Sequence, residues 1–326
     1  MHAVVLHEYG PAESLRYETV PDPEPGPGQV RIAVRAAGVH FVDTVMRTGG
    51  SDTSPPAPDL PAVMGGELAG VVESVGEGVD PTWAGRRVVT AEAQPGGYAE
   101  LAVADVPTLI PVPDAMDYDT AAAMITTGGT TIALLDLAEI TADDVVLVTS
   151  AAGGIGALAV QHARHVGATV VGAAGGPAKA AAVREGGADH AVDYNEPEWD
   201  KSVREALGGR RVTVVLDGVG GAKAAAAYAT LADGGRFLTI GASSQQGFAE
   251  PPQDLLTARD QTFTNALLHI LETFGGISDD HRHRALAAAA EGDLTPAVQA
   301  FPLAEAATAH AALEQRRTTG KVLLKP

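Results

Sequence analysis

Residues 144–174 read DVVLVTSAAGGIGALAVQHARHVGATVVGAA, and this stretch decides the fold. Val145, Val146, Leu147 and Val148 make an unbroken apolar run, ended by a small-residue turn that carries Gly153, Gly154 and Gly156. A helix is predicted next, because Ile155, Leu158, Ala159, Ala163 and Val166 recur at helical spacing; Gly167 stops it and a second apolar run starts at Thr169. Strand, glycine turn, helix and strand within about 30 residues make a βαβ unit. A strand buried on both faces reads as continuous Val and Leu, as this one does.

The glycines have a physical task. Unpaired N–H groups and the dipole at a helix N-terminus favour an anion such as a dinucleotide's pyrophosphate. Backbone approaches that closely only where Cβ atoms are missing. The spacing here is Ser150-x-x-Gly153-x-x-Gly156, with serine in the first position of the usual triple-glycine pattern. Its position between a predicted strand and helix raises it above a bare motif. The plain alternative is a glycine turn that only packs a helix onto a sheet.

NAD-binding units usually carry an acidic residue about 20 positions beyond the glycines, on the ribose 2′-hydroxyl. Here the second strand ends Gly172-Ala173-Ala174-Gly175-Gly176, with no carboxylate. Lys179 follows in the first turn of a helix opened by Pro177, where a cation opposes the helix dipole unless an anion lies near. A 2′-phosphate would be that anion, so the reading is NADPH; an exposed lysine without a ligand is the alternative. Further along, Asp217 and Gly218 follow the apolar run 212–216 and are expected to line the cofactor cleft at a strand's carboxyl end.

The whole chain sets bounds. Its 326 residues, 45% hydrophobic and 19% charged, have room for two domains and a sizeable core. No apolar run is expected to reach membrane-span length, and MHAVVLHEYG at the start lacks a signal-peptide pattern, so the expected compartment is the cytoplasm. The absence of cysteine removes disulfides and thiolate chemistry, thiolate metal sites included. A net charge of −19 argues against nucleic acid or an anionic membrane as partner.

Short strands divided by turns before residue 120 predict a β-rich, barrel-like first domain. They fall at 3–6, 15–20, 30–39, 86–90 and 98–103, with proline loops at 21–28 and 54–61. Strands at 190–194, 212–217 and 236–240, separated by alanine-rich helices, continue the βαβ theme and predict an α/β, doubly wound parallel sheet. Periodicity weakens beyond residue 255 until helices at 283–291 and 303–316 and a closing strand at 321–324. That strand is expected to return to the first domain, giving a discontinuous unit of 1–120 with 291–326 and a dinucleotide-binding unit of 121–290.

Five stretches carry a resemblance: AAGVHFVDTVMRTG (36–49), GGELAGVVESVGEGV (65–79), GGYAEL (96–101), SAAGGIGALAVQHA (150–163) and RRTTGKVLL (316–324). Over nearly its full length the chain resembles the zinc-free quinone oxidoreductase (ζ-crystallin-like) branch of the medium-chain dehydrogenase/reductase superfamily. The resemblance implies a GroES-like, partly open barrel joined to a Rossmann domain, with NADPH and substrate between them, and a homodimer along the sheet edge at 263–269. It would place Ser150, Gly153, Gly154 and Ile155 near the pyrophosphate and Lys179 and Tyr194 at the 2′-phosphate, with Gly156 and Gly175 also expected to bind the cofactor. Thr130 and the loop of Gly241, Ala242 and Ser243 would lie by the nicotinamide, with Gly218 in the same cleft and Arg316 reaching the cofactor from the C-terminal segment. Zinc relatives carry a cysteine where this chain has His40 and a histidine–glutamate pair where it has Gly66-Glu67, so no metal is expected. Quinone reductases usually have asparagine at His40 and some carry tyrosines near Val45 and Ser51, which opens the question of the substrate.

His40 is read as donor of a proton or hydrogen bond to a carbonyl oxygen, against a packed histidine filling an asparagine-sized niche. Asp43 is expected to cap the short helix, Tyr98 to pack between strands, and His281 and His283 to sit in a solvated turn. The expected reaction is hydride transfer from NADPH to a quinone or other α,β-unsaturated carbonyl, a small-molecule acceptor that needs no metal because it already delocalises the arriving charge. The rivals are an enoyl-thioester reductase and a non-catalytic NADPH-binding protein of the sensor or crystallin kind.

Overall fold

The computed structural model describes residues 1–50, 56–94, 96–246 and 250–326. The first residues of the proline loop at 54–61, and Ser51, lie outside them. The chain forms two compact units, 1–127 with 296–326 and 128–295. Their limits, 127/128 and 295/296, both lie a few residues further along the chain than the expected 120/121 and 290/291.

Unit 128–295 is a six-stranded sheet in which every neighbouring pair is parallel. The spatial order is His190–Asp193, Thr169–Ala174, Val145–Thr149, Val212–Asp217, Leu231–Thr239 and Thr262–Asn265. All five residues of Val145–Thr149 are buried, as a strand covered by helices on both faces requires. The chain runs outward from this strand on one side and returns to its other side at Val212–Asp217, so the strand order reverses there. That reversal opens a crevice at the carboxyl ends, the place where doubly wound sheets bind ligands.

Unit 1–127 with 296–326 is built on the 11-residue strand Gln29–Val39. Val30, Ile32 and Val34 face a core that also holds Leu6, Leu68, Val72, Val88 and Leu324. The strand pairs antiparallel with Leu68–Val75, Leu101–Asp105 and the terminal strand Lys321–Lys325. A smaller three-stranded sheet joins Leu15–Thr19, His2–Leu6 and Ala62–Val63. The result is β-rich and barrel-like.

Three expectations need correcting. The helical run Tyr118–Ala138 is by length and composition apolar enough to cross a membrane, although 83% of its most apolar window is buried inside the protein. The segment beyond 255, where periodicity fades, contains helices Gln253–Ala258 and Ala266–Phe274 flanking the edge strand Thr262–Asn265. His281 and His283 lie in the first turns of helix Asp279–Glu291, not in a turn, and His281 is buried, its ring nitrogen and Ser278 completing a reciprocal cap. Alternating His and Arg disguised that start because the charged faces of a short helix and of a turn look alike in sequence.

Candidate functional site

At the carboxyl end of Val145–Thr149 the chain turns through Ser150, which takes a left-handed φ of 54°. The Gly153 N–H donates to the Ser150 carbonyl at 2.8 Å and closes the turn. Gly153 then begins helix Gly154–His165 with no side chain bonded to the first amides. The N–H groups of Gly154, Ile155 and Gly156 therefore point outward at the positive end of the helix dipole, without intrahelical partners. A Cβ on Gly156 would stand 2.3 Å from the Ser150 carbonyl oxygen and 2.8 Å from the Ala151 Cα. That glycine lets helix and turn touch, and no side chain caps the first amides of the helix.

Strand Val212–Asp217 ends beside this turn. Gly218 lies so close that a Cβ there would be 3.4 Å from the Ser150 Cβ. Its carbonyl accepts from the Ser243 N–H at 3.3 Å, which seats Gly241, Ala242 and Ser243 at the same end of the sheet. Asp217 behaves otherwise than expected. It is wholly buried and accepts from the Thr149 hydroxyl at 2.6 Å and the Gly220 amide at 2.9 Å, so it braces the turn and does not line a cleft. Burial pushes its carboxyl up, against those hydrogen bonds.

One strand outward, a Cβ on Gly175 would stand 3.1 Å from the Tyr194 ring and 3.2 Å from the Asn195 amide nitrogen. Lys223 donates to the Asn195 side-chain oxygen at 2.7 Å and lies 3.8 Å above the centre of the Tyr194 ring. Lys179 occupies the first turn of helix Pro177–Glu185. A carboxylate does arrive here, from the neighbouring strand: Asp193 Oδ1 accepts from the Gly176 and Asn195 amides at 2.8 and 2.9 Å. Asn195 and Lys223 escaped the sequence reading because they come from separate elements, a turn after strand His190–Asp193 and the first turn of helix Gly221–Ala229. Thr130 lies in the first turn of helix Gly129–Ala138, directly after a π-helical turn, Met124–Gly128.

The barrel unit holds His40 in a second cluster. Val322 pairs with Val39 and Ala37 with Leu68, so Lys321, His40 and Glu67 meet at one end of three strands. Lys321 Nζ lies 2.7 Å from Glu67 Oε1 and 2.9 Å from His40 Nε2, and His40 Nε2 lies 3.3 Å from Glu67 Oε2. The Glu67 and Lys321 side chains are 2% and 4% exposed, whereas His40 is 26% exposed. Gly38 makes room: a Cβ there would stand 1.6 Å from Glu67 Oε1. Neither Glu67 oxygen meets hydrogen-bond angles with a neighbour, so attraction between charges holds it. Burial alone would raise this carboxyl, but the Lys321 ammonium and, less, His40 outweigh it and hold it well below the usual carboxylate range.

His40 also ends a buried chain of hydrogen bonds. Arginine can only donate, so Arg47 Nη1 gives to His310 Nδ1 at 3.3 Å and leaves the hydrogen on Nε2. That nitrogen faces Tyr98 Oη at 3.2 Å, Tyr98 donates to Asp43 Oδ2 at 2.9 Å, and the same oxygen accepts the His40 backbone N–H at 2.8 Å. Asp43 thus caps helix Phe41–Arg47, as expected, and Tyr98 adds a directed bond to its packing. Burial, with help from the Arg47 charge and against that of Asp43, lowers His310 to about 4, so it is neutral. Burial and then the Asp43 charge raise the Tyr98 hydroxyl well above its ordinary value. Arg316 takes a left-handed φ of 57° and stacks its guanidinium 4.3 Å over the Phe41 ring, next to His40. Among the described residues, no group of three His, Asp or Glu side chains is placed to hold a metal.

Comparison with known proteins agrees with this architecture. Residues 26–114 match the alcohol dehydrogenase GroES-like domain family and 186–324 the zinc-binding dehydrogenase family. The quinone oxidoreductase of Pseudomonas aeruginosa is 34% identical, with 98% of this chain and 97% of that protein aligned. A 2-haloacrylate reductase from a Burkholderia species is also 34% identical, over 99% of this chain and 98% of its own length. Among solved structures, mycobacterial Rv1454c complexed with NADPH superposes with a TM-score of 0.84 at 35% identity, all of both chains covered. The chain belongs to the zinc-free quinone oxidoreductase branch of the medium-chain dehydrogenase/reductase superfamily and is an oxidoreductase.

Proposed function

We propose that this chain is an NADPH-dependent, zinc-independent reductase of quinones or other α,β-unsaturated carbonyls. One observation carries the reading: the uncapped start of helix Gly154–His165, approached by Ser150 and Gly153 with no side chain in the way. A pyrophosphate suits those amides, and Gly175, Lys179, Tyr194, Asn195 and Lys223 suit a phosphorylated ribose, with two lysines to offset Asp193. In this reading unit 128–295 binds the dinucleotide and unit 1–127 with 296–326 supplies the groups for the acceptor.

NADPH supplies the hydride when bound. His40, the most exposed member of its cluster, hydrogen-bonds the acceptor's oxygen as negative charge gathers there. Lys321 stands where a third metal ligand would be needed beside His40 and Glu67, and an ammonium has no lone pair to offer, which supports zinc independence. The name of the Burkholderia relative, a haloacrylate reductase, supports a conjugated acceptor. A homodimer through the edge strand Thr262–Asn265 is supported by the exposed Leu267, Leu268, Leu271 and Phe274 on the following helix.

NADPH absorbance followed against a panel of quinones, enones and enoyl thioesters tests the function. Oxidation with quinones or enones is expected. Turnover confined to thioesters, or binding without turnover, would replace the reading.

A further inference from the structure

Two neighbouring strands of unit 128–295 end side by side, and a pair of buried side chains ties their ends together. Thr149 closes strand Val145–Thr149 and is 2% exposed; Asp217 closes strand Val212–Asp217 and is wholly buried. The Gly218 N–H can only donate, and it gives to the Thr149 hydroxyl oxygen at 3.0 Å. The single hydroxyl hydrogen is left for Asp217 Oδ1, at 2.6 Å. That oxygen also accepts from the Val219 amide at 3.3 Å, and Oδ2 accepts from the Gly220 amide at 2.9 Å. Every bond in this clasp has one direction, and together they hold the Gly218 backbone to the end of strand Val145–Thr149.

Two loops lie against Gly218. A Cβ on it would stand 3.4 Å from the Ser150 Cβ, in the turn read as the pyrophosphate cradle. A Cβ on Gly241 would stand 3.4 Å from the Gly218 carbonyl oxygen, and the Ser243 amide donates to that same oxygen at 3.3 Å. Gly241, Ala242 and Ser243 form the loop read as the nicotinamide side, so the place of Gly218 sets the spacing between the two. We infer that Thr149 and Asp217 are positioning residues for the dinucleotide. Neither touches the ligand; they fix the span that lets one cofactor fill the Ser150 turn and the 241–243 loop together. This rests on the NADPH reading above.

Calorimetry of the unaltered protein and of Thr149→Val, with NADPH and with adenosine 2′-phosphate, tests it. Valine keeps the shape and loses the hydroxyl, while the nucleotide fragment has neither pyrophosphate nor nicotinamide and does not need the span. Thr149→Val is expected to bind NADPH about tenfold more weakly and the fragment within about twofold, and Thr149→Ser, which restores the hydroxyl, to bind both normally. Both ligands weakening together would mean a general loosening, and unchanged NADPH affinity would mean an idle clasp; either overturns the proposal. If the valine protein does not fold, Asp217→Asn decides. Asparagine has one acceptor oxygen and cannot serve both Thr149 and Gly220, yet it removes a negative charge from the end of the sheet where an anion is to bind. Charge alone would tighten NADPH binding, so the expected loss of about tenfold reports geometry, and equal or tighter binding overturns the proposal. An unaltered protein that binds neither ligand ends the cofactor reading and the clasp with it, whereas normal binding by both variants ends the clasp alone.

Discussion

The two candidate sites of this protein are assembled in opposite ways. In unit 128–295 the cradle is made of backbone: a strained serine, a run of glycines and unpaired amides within a few residues of one another. In the barrel unit the cluster around His40 is made of buried side chains, Glu67, Lys321, His310 and Arg47, gathered from positions far apart in the chain and held largely by charge. A site of amides depends on the absence of side chains, whereas a site of charges depends on every partner being present. The first should fail sterically and locally, the second electrostatically and with a loss of fold stability.

The largest effect belongs to the cradle. Gly156→Val would force a Cβ into the 2.3 Å gap to the Ser150 carbonyl, and NADPH binding should fall more than about a hundredfold in calorimetry. Near-normal binding would mean that the turn yields, and the contrast would weaken. In the barrel, Glu67→Leu strands the buried Lys321 ammonium and should cost about 3–5 kcal/mol in urea unfolding. Tyr98→Phe, which leaves Asp43 and His310 each short of one bond, should cost about 1–3 kcal/mol by the same measurement.

Acid should expose the barrel further. The folded His310, at about 4, sits below its unfolded value of 6.5, so between those values the unfolded chain binds more protons. Stability is therefore full above the upper value and is lost as pH falls toward the lower one. The depressed Glu67 carboxyl acts in the same direction, beginning only below 4.5. His310→Gln should flatten the fall in unfolding free energy between pH 7 and pH 5 by about 2 kcal/mol. An unchanged slope would mean that His310 is not buried neutral. The smallest effect is Lys223→Ala, which should weaken NADPH about tenfold and leave NADH unchanged.

The difference between the two regions also explains what could be read from the sequence. The cradle lies in one βαβ stretch whose periodicity and glycines announce it, and the order of strands follows from the repeated pattern. His40 could be singled out by its place at a strand-to-helix junction, and Asp43 by its capping spacing. Lys321 was hidden as the first residue of an apolar strand, and its burial becomes visible only when Val322 is set against Val39. His310 sits in an alanine-rich helix, where a single polar residue on the buried side was the one available signal. The inward turn of Asp217 was equally hidden, because it depends on a hydroxyl from another strand.

Titration calorimetry of the purified protein with NADPH and with NADH tests the central claim most directly. Amides at one helix start, with Lys179 and Lys223 nearby, predict that NADPH binds at least about tenfold more tightly. Equal affinity for the two, or binding of neither, would contradict it.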